Sequence, residues 1–140
     1  MKINTNSCLG KAYEKTKKGL LAHSLESHLQ SHKSNNHSLW AEPEFTSKYI
    51  DICTKYYKNT GDIEYFNRAK AVVDNICAIQ PEDGYLGGLM EKDRWENFDV
   101  WNQTFTVYGL LSYYAQTKDE RALNAAEKCA TTIADHYMNN

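Results

Sequence analysis

Apolar side chains recur every three or four residues along most of the chain, which is the period of one face of an α-helix. Three stripes show this spacing, and their members are Phe45, Tyr49, Ile52, Cys53 and Tyr56; Phe66, Ala69, Val73, Ile76 and Cys77; and Ala122, Ala126, Cys129, Ile133 and Tyr137. They predict helices near residues 43–59, 62–79 and 119–138. No strand pattern accompanies them, so the chain is predicted to be all-α.

Two further helices are predicted from the same pattern. The segment near residues 98–116 is apolar on two sides, with Phe98, Trp101, Phe105 and Tyr108 on one and Val100, Val107, Leu111 and Tyr114 on the other. Such a helix is expected to be buried on two sides, as an inner helix. A leading helix is predicted near residues 11–33, followed by a loop at SNNHS. The chain is therefore expected to hold one helix and two helical hairpins.

The two hairpins match each other at an offset of 57 residues. YYKNTGDIEYFNRAK, from Tyr56 to Lys70, aligns with YYAQTKDERALNAAE, from Tyr113 to Glu127. A fixed period of this kind is typical of repeated supersecondary units. Asp62 and Asp119 occupy matching positions and are predicted helix N-caps. Because a stack of repeats needs capping units, we expect residues 1–140 to form a single all-α domain that is a fragment of a larger helical barrel.

Composition argues against several classes of function. The chain has 140 residues, with 16 basic and 18 acidic side chains and a formal net charge of -2. It shows no basic stripe of the kind that nucleic-acid binding uses, and no apolar run long enough to cross a membrane. Its start, MKINTNSCLG, lacks the apolar core of a signal peptide. We therefore expect a cytoplasmic protein with no nucleic-acid or membrane partner.

Possible metal ligands are scattered along the sequence. The cysteines form no CxxC pair, and three of the four fall in apolar helical patterns; they are Cys8, Cys53, Cys77 and Cys129. This favours buried free thiols over disulfides or a metal site. His28 and His32 are four residues apart, but no carboxylate completes an HExxH pattern. No metal site and no cofactor are predicted within this chain.

A loop rich in glycine, aromatic and acidic residues lies between Pro81 and Phe98. Asp83 and Tyr85 flank Gly84 in a predicted tight turn. Two interpretations are equally supported: the two side chains contact a substrate, or they only stabilise the turn. The carboxylates in and beside the loop, Glu91, Asp93, Glu96 and Asp99, suit solvated positions better than the acid–base pair of a glycosidase. For Asp99 the expectation is a helix N-cap.

Tryptophans and amides near this loop are candidate sugar contacts. Sugar rings present apolar C–H faces that stack on aromatic planes, which makes Trp40, Trp95 and Trp101 candidate substrate-binding residues. Core packing is the alternative for Trp101, because it falls in the predicted inner helix. Asn102 and Gln103 come directly after it, and their amides can bond sugar hydroxyls.

Three segments together resemble the β-L-arabinofuranosidase-like glycoside hydrolases of family 127. LWAEPEFTSKYIDIC (Leu39 to Cys53) is similar to that family's W-x-G-E-[FY]-x-G-K-[YW] stretch, and AIQPEDGYLGG (Ala78 to Gly88) to its Q-x-x-D-G-Y-L-G segment. FDVWNQTFTVYGLLSYYAQTKDERALNAAEKCA (Phe98 to Ala130) resembles its W-x-V-W-x-H-K-x-x-L-x-G-L-L-x-Y-Y-x-x-T-G-D-x-x-A-L-x-A-A stretch.

The resemblance implies helical hairpins of an incomplete (α/α)6 toroid, the six-hairpin glycosidase fold, with this chain forming one wall of a sugar cleft. It also implies retaining hydrolysis by a zinc-bound cysteine with a glutamate as acid/base. No matching motif for these groups occurs here, so no catalytic or zinc residue is carried over. The implied partners are an oligosaccharide and either the remaining hairpins of a parent chain or a second copy.

Two residues become stronger candidates through the resemblance. Gln103 stands where many relatives have histidine, and Glu44 matches the glutamate of the family's Gly-Glu pair. The sequence departs from the family's pattern at two places: it lacks the glycine near Glu44, and Ser47 replaces another glycine. Two alternatives stay open: a helical-repeat module that binds protein segments without catalysis, and another toroid sugar enzyme such as an epimerase or an unsaturated-uronide hydrolase.

Overall fold

The computed structural model describes residues 6–33 and 42–139, and within them it contains helices and no strands. The α-helices are α1 (Cys8–Ala22), α2 (Leu25–Gln30), α3 (Glu42–Thr60), α4 (Ile63–Ile79), α5 (Asp99–Thr117) and α6 (Glu120–Asn139). A short 3-10 helix spans Glu91–Asp93 in the loop before α5. None of the helices in these ranges is both long and apolar enough to cross a membrane.

The predicted repeat is present as two helical hairpins, α3–α4 and α5–α6. Glu42 and Asp99 begin their inner helices and Thr60 and Thr117 end them, so both boundaries keep the offset of 57 residues. The caps repeat as well. Asp62 Oδ1 accepts the Glu64 N–H at 3.2 Å, and its equivalent Asp119 Oδ1 accepts the Arg121 N–H at 3.1 Å. The predicted N-caps are therefore confirmed, and the later four helices lie within one residue of their expected ends.

The leading helix is not the single element expected for residues 11–33. α1 ends at Ala22, and α2 begins at Leu25 after two residues of extended backbone. The Ser24 hydroxyl accepts the Ser27 N–H at 3.4 Å, which starts a new helix. A serine side chain that bonds the backbone in this way competes with continuation of the preceding helix. The predicted loop at SNNHS and Trp40 lie outside the described residues.

The two inner helices pack side by side and run in the same direction. Trp101 of α5 bonds Glu44 near the start of α3, and Ser112 bonds Asp51 further along both helices. The helices approach closely at Gly109, where an added Cβ would lie 2.9 Å from the Cβ of Ser47. The outer helices α4 and α6 cover the other side, and the core between the layers includes Ile50, Tyr65, Ile76, Leu110 and Ala126.

One side of α5 that was expected to be buried is exposed. α5 packs against α3 and α6, yet Trp101 and Tyr108 are 51% and 46% exposed. The prediction of burial on both apolar sides is therefore wrong within the described part of the chain. The contact between Trp101 and Glu44 lies near the starts of α5 and α3, at the end where the loop between α4 and α5 enters α5.

Candidate functional site

The loop between α4 and α5 opens with a tight turn. The Asp83 carboxylate accepts the Tyr85 N–H at 3.0 Å, and Gly84 has φ 82°. An added Cβ on Gly84 would lie 2.8 Å from the backbone oxygen of Lys128 in α6. Gln80 donates to the Gly84 and Ala125 oxygens, both at 2.9 Å, which ties the turn to α6. The turn chemistry expected here is present, and it fixes the loop against the outer helix.

Asp99 joins the far end of this loop to its beginning. Its carboxylate is 1% exposed and accepts three hydrogen bonds: from the Tyr85 hydroxyl at 2.6 Å, the Trp95 N–H at 2.8 Å and the Gln103 amide at 3.2 Å. The prediction that Asp99 is a helix N-cap is wrong. Phe98 holds the cap position and makes no side-chain capping hydrogen bond, and Asp99 is the first residue of α5.

Tyr85 lies buried under the loop. Its hydroxyl donates to Asp99 and accepts the Leu89 N–H at 3.2 Å. Burial, together with the neighbouring Asp99 carboxylate, raises the pKa of Tyr85 far above its usual value. A Cβ on Gly87 would overlap both the Asp99 carboxylate and the Tyr85 hydroxyl. Position 87 therefore has room only for glycine. At position 84, glycine is favoured by the positive φ of the turn.

Arg94 closes the loop on its solvent side. Its guanidinium lies 3.9 Å from the centre of the Tyr85 ring and pairs with Asp83 at 2.5 Å. Burial by itself raises the pKa of the Asp83 carboxyl, but the Tyr85 N–H and the Arg94 charge outweigh that effect and lower the pKa. Asp83 and Tyr85, predicted as substrate contacts, are thus used to build the loop.

The two amides predicted as ligands are inside the protein. Gln103 is 0% exposed; its Nε2 donates to Asp99, and its Oε1 faces the Cys129 thiol at 3.8 Å. Asn102 is buried beside it on α5. Both ends of the Gln103 amide are bonded within the chain, so a sugar contact by this side chain would require those bonds to open.

Trp95 is half-buried against α6. Its indole stacks on the His136 ring with centroids 4.0 Å apart and planes 5° apart, and it meets Tyr85 and Tyr137 edge-on. Its φ of 71° is unusual for a non-glycine residue. The Asp99 bond to its N–H holds the backbone there.

Glu44 and Trp101 meet at the exposed ends of the inner helices. The Trp101 indole N–H donates to the Glu44 carboxylate at 2.8 Å. The Lys48 ammonium, which pairs with the same carboxylate, lowers the pKa of Glu44, and the Trp101 bond adds to this. These two predicted site residues are therefore brought into direct contact, with the carboxylate ionised at neutral pH.

Trp101 begins a line of surface rings that we call the aromatic strip: Trp101, Phe105 and Tyr108. Trp101 and Tyr108 are exposed, and Phe105 between them is half-buried. Adjacent ring centroids are 5.1 and 6.4 Å apart. The Lys48 ammonium sits 4.9 Å from the centre of the Phe105 ring. Sequence reasoning missed Phe105 and Tyr108 as site residues, although their helical spacing from Trp101 already placed them on one side of α5.

Comparison with protein-family models gives a match over residues 5–140 to the β-L-arabinofuranosidase, GH127 catalytic domain. The chain belongs to this family. The resemblance inferred from the three motifs is thereby confirmed, and so is the expectation of helical hairpins of an (α/α)6 toroid. Searches of curated proteins and of solved structures found no match.

Zinc and a thiolate nucleophile, which GH127 membership implies, do not fit the side chains that the structure describes in this chain. Residues 6–33 and 42–139 contain no group of three His, Cys, Asp or Glu able to hold a metal. Burial raises the pKa of Cys53 to about 11 and that of Cys129 to about 12, so both are neutral thiols at pH 7. Both are inaccessible, and no catalytic step is derived through them.

Proposed function

We propose that this GH127 chain forms one wall of the sugar cleft of a glycoside hydrolase that acts on arabinofuranose-type or related plant oligosaccharides. The observation that carries the proposal is the aromatic strip, which lies at the surface beside the ionised Glu44. A surface run of three aromatic rings is costly to leave in water and commonly marks a binding surface.

The wall combines the two kinds of contact that a sugar ring needs. Trp101 and Phe105 present π faces for the apolar C–H side of the ring. The Glu44 carboxylate accepts hydrogen bonds from hydroxyls, and the nearby Lys48 ammonium donates them. Because Lys48 and Trp101 already fix the Glu44 carboxylate, little side-chain freedom would be lost on binding.

The loop from Pro81 to Phe98 supports the wall from behind. Asp99 ties Tyr85 and Trp95 to the first turn of α5, the helix that bears the aromatic strip. The contribution of Gln103 in this proposal is therefore indirect, through its bond to Asp99. The proposal assigns binding to this chain and leaves bond cleavage to groups other than the described residues.

The proposal is tested by titrating the chain with arabinofuranose-containing oligosaccharides and following side-chain chemical shifts by NMR. Saturable shifts are expected at Trp101 and Phe105. Trp101→Ala should weaken binding by about twofold to tenfold, the value of one aromatic contact. Tyr137→Ala is the matched control, because Tyr137 is similarly exposed but lies on α6. Equal losses in both variants, or no shifts at high sugar concentration, would refute the aromatic strip as a sugar-binding wall.

A further inference from the structure

The aromatic strip lies on the side of α5 that points away from the outer helices. Gln103 faces Cys129 of α6. It is two residues from both Trp101 and Phe105, and residues two apart lie on opposite sides of a helix. Gly109, which contacts α3, lies between these two sides. In the (α/α)6 toroid, the side of an inner helix opposite the outer helices faces the central cleft, so the strip is not one of the lateral surfaces that neighbouring hairpins cover.

The same side of α3 carries charged side chains that contact the strip. Glu44 accepts the Trp101 indole N–H at 2.8 Å. The Lys48 ammonium pairs with Glu44 and lies 4.9 Å from the centre of the Phe105 ring. We call these four residues the first cluster. They are the residues to which the proposed function assigns sugar binding.

A second cluster repeats this composition seven residues further along both inner helices. Its members are Asp51, Lys55, Tyr108 and Ser112, which lie seven positions after Glu44, Lys48, Trp101 and Phe105, respectively. The acid, the lysine and the first aromatic residue recur in the same places, and a serine hydroxyl replaces the second ring. Seven residues are about two helical turns, so the second cluster lies about 10.5 Å further along the cleft wall.

Hydrogen bonds hold the second cluster together across the two helices, as they do in the first. Asp51 accepts a hydrogen bond from Ser112 of α5 and another from Lys55 at 2.8 Å. The Lys55 ammonium also donates to the Tyr108 hydroxyl at 3.5 Å. The Lys55 side chain is 55% exposed and Tyr108 is 46% exposed. Because covering an ion pair with apolar groups carries a large desolvation cost, this surface suits a partner rich in hydroxyl groups.

We propose that the second cluster is a second sugar subsite, and that the cleft wall binds an oligosaccharide laid along α3 and α5. The inference rests on the proposed function, because it takes the first cluster as the first subsite. The Tyr108 ring offers apolar surface for the C–H side of a sugar, and Lys55 and Ser112 offer hydrogen-bonding groups for its hydroxyls.

The separation of the clusters sets the length of the ligand. A sugar ring is about the size of one aromatic ring, and linked sugar rings follow one another at about the spacing of adjacent rings in the aromatic strip, which is 5.1 and 6.4 Å. The offset of about 10.5 Å therefore corresponds to two such steps. A trisaccharide is the shortest chain that reaches from the first cluster to the second.

Binding measured against chain length tests the second subsite. The probes are methyl arabinofuranoside and arabinofuranose oligosaccharides of two, three and four residues, followed by NMR through the Trp101 indole N–H. The wild-type dissociation constant should fall by about twofold to tenfold between the disaccharide and the trisaccharide, the value of one added aromatic contact. Tyr108→Ala should abolish that step and leave binding of the methyl glycoside unchanged. Tyr137→Ala is the matched control on α6, and it should keep the step.

The results separate this inference from the proposed function. If every probe shifts Trp101 with the same dissociation constant, the first cluster remains a sugar site and the second subsite is overturned. A step in affinity that survives Tyr108→Ala overturns it as well. If no probe shifts Trp101, the proposed function fails and the second subsite fails with it. Should circular dichroism show that Tyr108→Ala is unfolded, the wild-type Tyr108 ring decides: its shifts should saturate together with those of Trp101 as trisaccharide is added, and unchanged Tyr108 shifts would overturn the proposal.

Discussion

Replacing Asp99 by asparagine should loosen the loop between α4 and α5 and destabilise the protein. The carboxylate accepts three hydrogen bonds, and all three donors are neutral groups that point into the protein. Asparagine has the same shape but carries one acceptor oxygen and one NH₂ group. Whichever way its amide is turned, at least one of the three donors then loses its acceptor.

The cost depends on the better of the two orientations. With its oxygen toward Trp95 and Gln103, the asparagine side chain of the variant keeps two bonds, and the Tyr85 hydroxyl loses its acceptor. An unsatisfied buried donor costs about 1–3 kcal/mol, and the two remaining bonds lose their charge assistance. Removing a buried charge recovers part of this. We expect the free energy of unfolding to fall by about 2 kcal/mol.

Urea unfolding measures the global loss, and limited trypsin digestion locates it. Lys92 and Arg94 are trypsin sites inside the loop, so their cleavage should accelerate more in Asp99→Asn than cleavage at sites in the helices. Asp119→Asn is the control, because asparagine caps a helix as well as aspartate does and the Asp119–Arg121 pair is at the surface, where it contributes little. If both variants unfold at the same urea concentration, or if loop cleavage in Asp99→Asn only keeps pace with cleavage elsewhere, Asp99 does not hold the loop.

Three further predictions concern stability. Gly61 and its repeat equivalent Lys118 both have positive φ, 76° and 59°. In urea unfolding, Gly61→Ala should lower the free energy of unfolding by about 1 kcal/mol, and Lys118→Gly should raise it by about 0.5 kcal/mol. A lower free energy of unfolding in Lys118→Gly would contradict this account. Gly87→Ala should destabilise by about 1–3 kcal/mol through overlap with the loop, and calorimetry showing an unchanged melting temperature would disprove it. Burial lowers the pKa of His28 to about 4 and of His32 to about 3, with a smaller effect of neighbouring positive charge. The unfolded chain binds these protons near pH 6.5, so the free energy of unfolding should have its full value above that pH. It should fall by about 1–2 kcal/mol per histidine as the pH is lowered from 6.5 to 5. A urea midpoint that does not change over that interval would refute the prediction.

The sequence predicted the two hairpins well because their signals are local. The apolar stripes, Asp62 and Asp119 each act over a few residues, and the helix ends fell within one residue of expectation. The break at Ser24 was missed, because a serine there is compatible both with a helix interior and with a new cap. Only the bond to the Ser27 N–H decides between them.

The site was predicted less well because its determinants are distant in sequence. An aspartate at the start of a helix looks like a cap, and nothing local to Asp99 shows that Tyr85, 14 residues earlier, donates to it. Periodicity places Phe105 and Tyr108 on one side of α5, but an apolar side looks the same whether it faces a core, a ligand or a second chain. The prediction that Gln103 contacts the sugar rests on its position in a sequence motif, and a motif does not show whether a side chain is buried.

The Glu44–Trp101 bond joins two positions that are equivalent in the repeat, 57 residues apart. If the two hairpins carried the same residue there, this bond could not form: two carboxylates would repel one another, and two indoles would have no acceptor between them. The contact at the mouth of the candidate cleft therefore exists because the two units differ at this position. The symmetry of the backbone brings the two positions together, and the departure from symmetry in the side chains gives the surface its polarity.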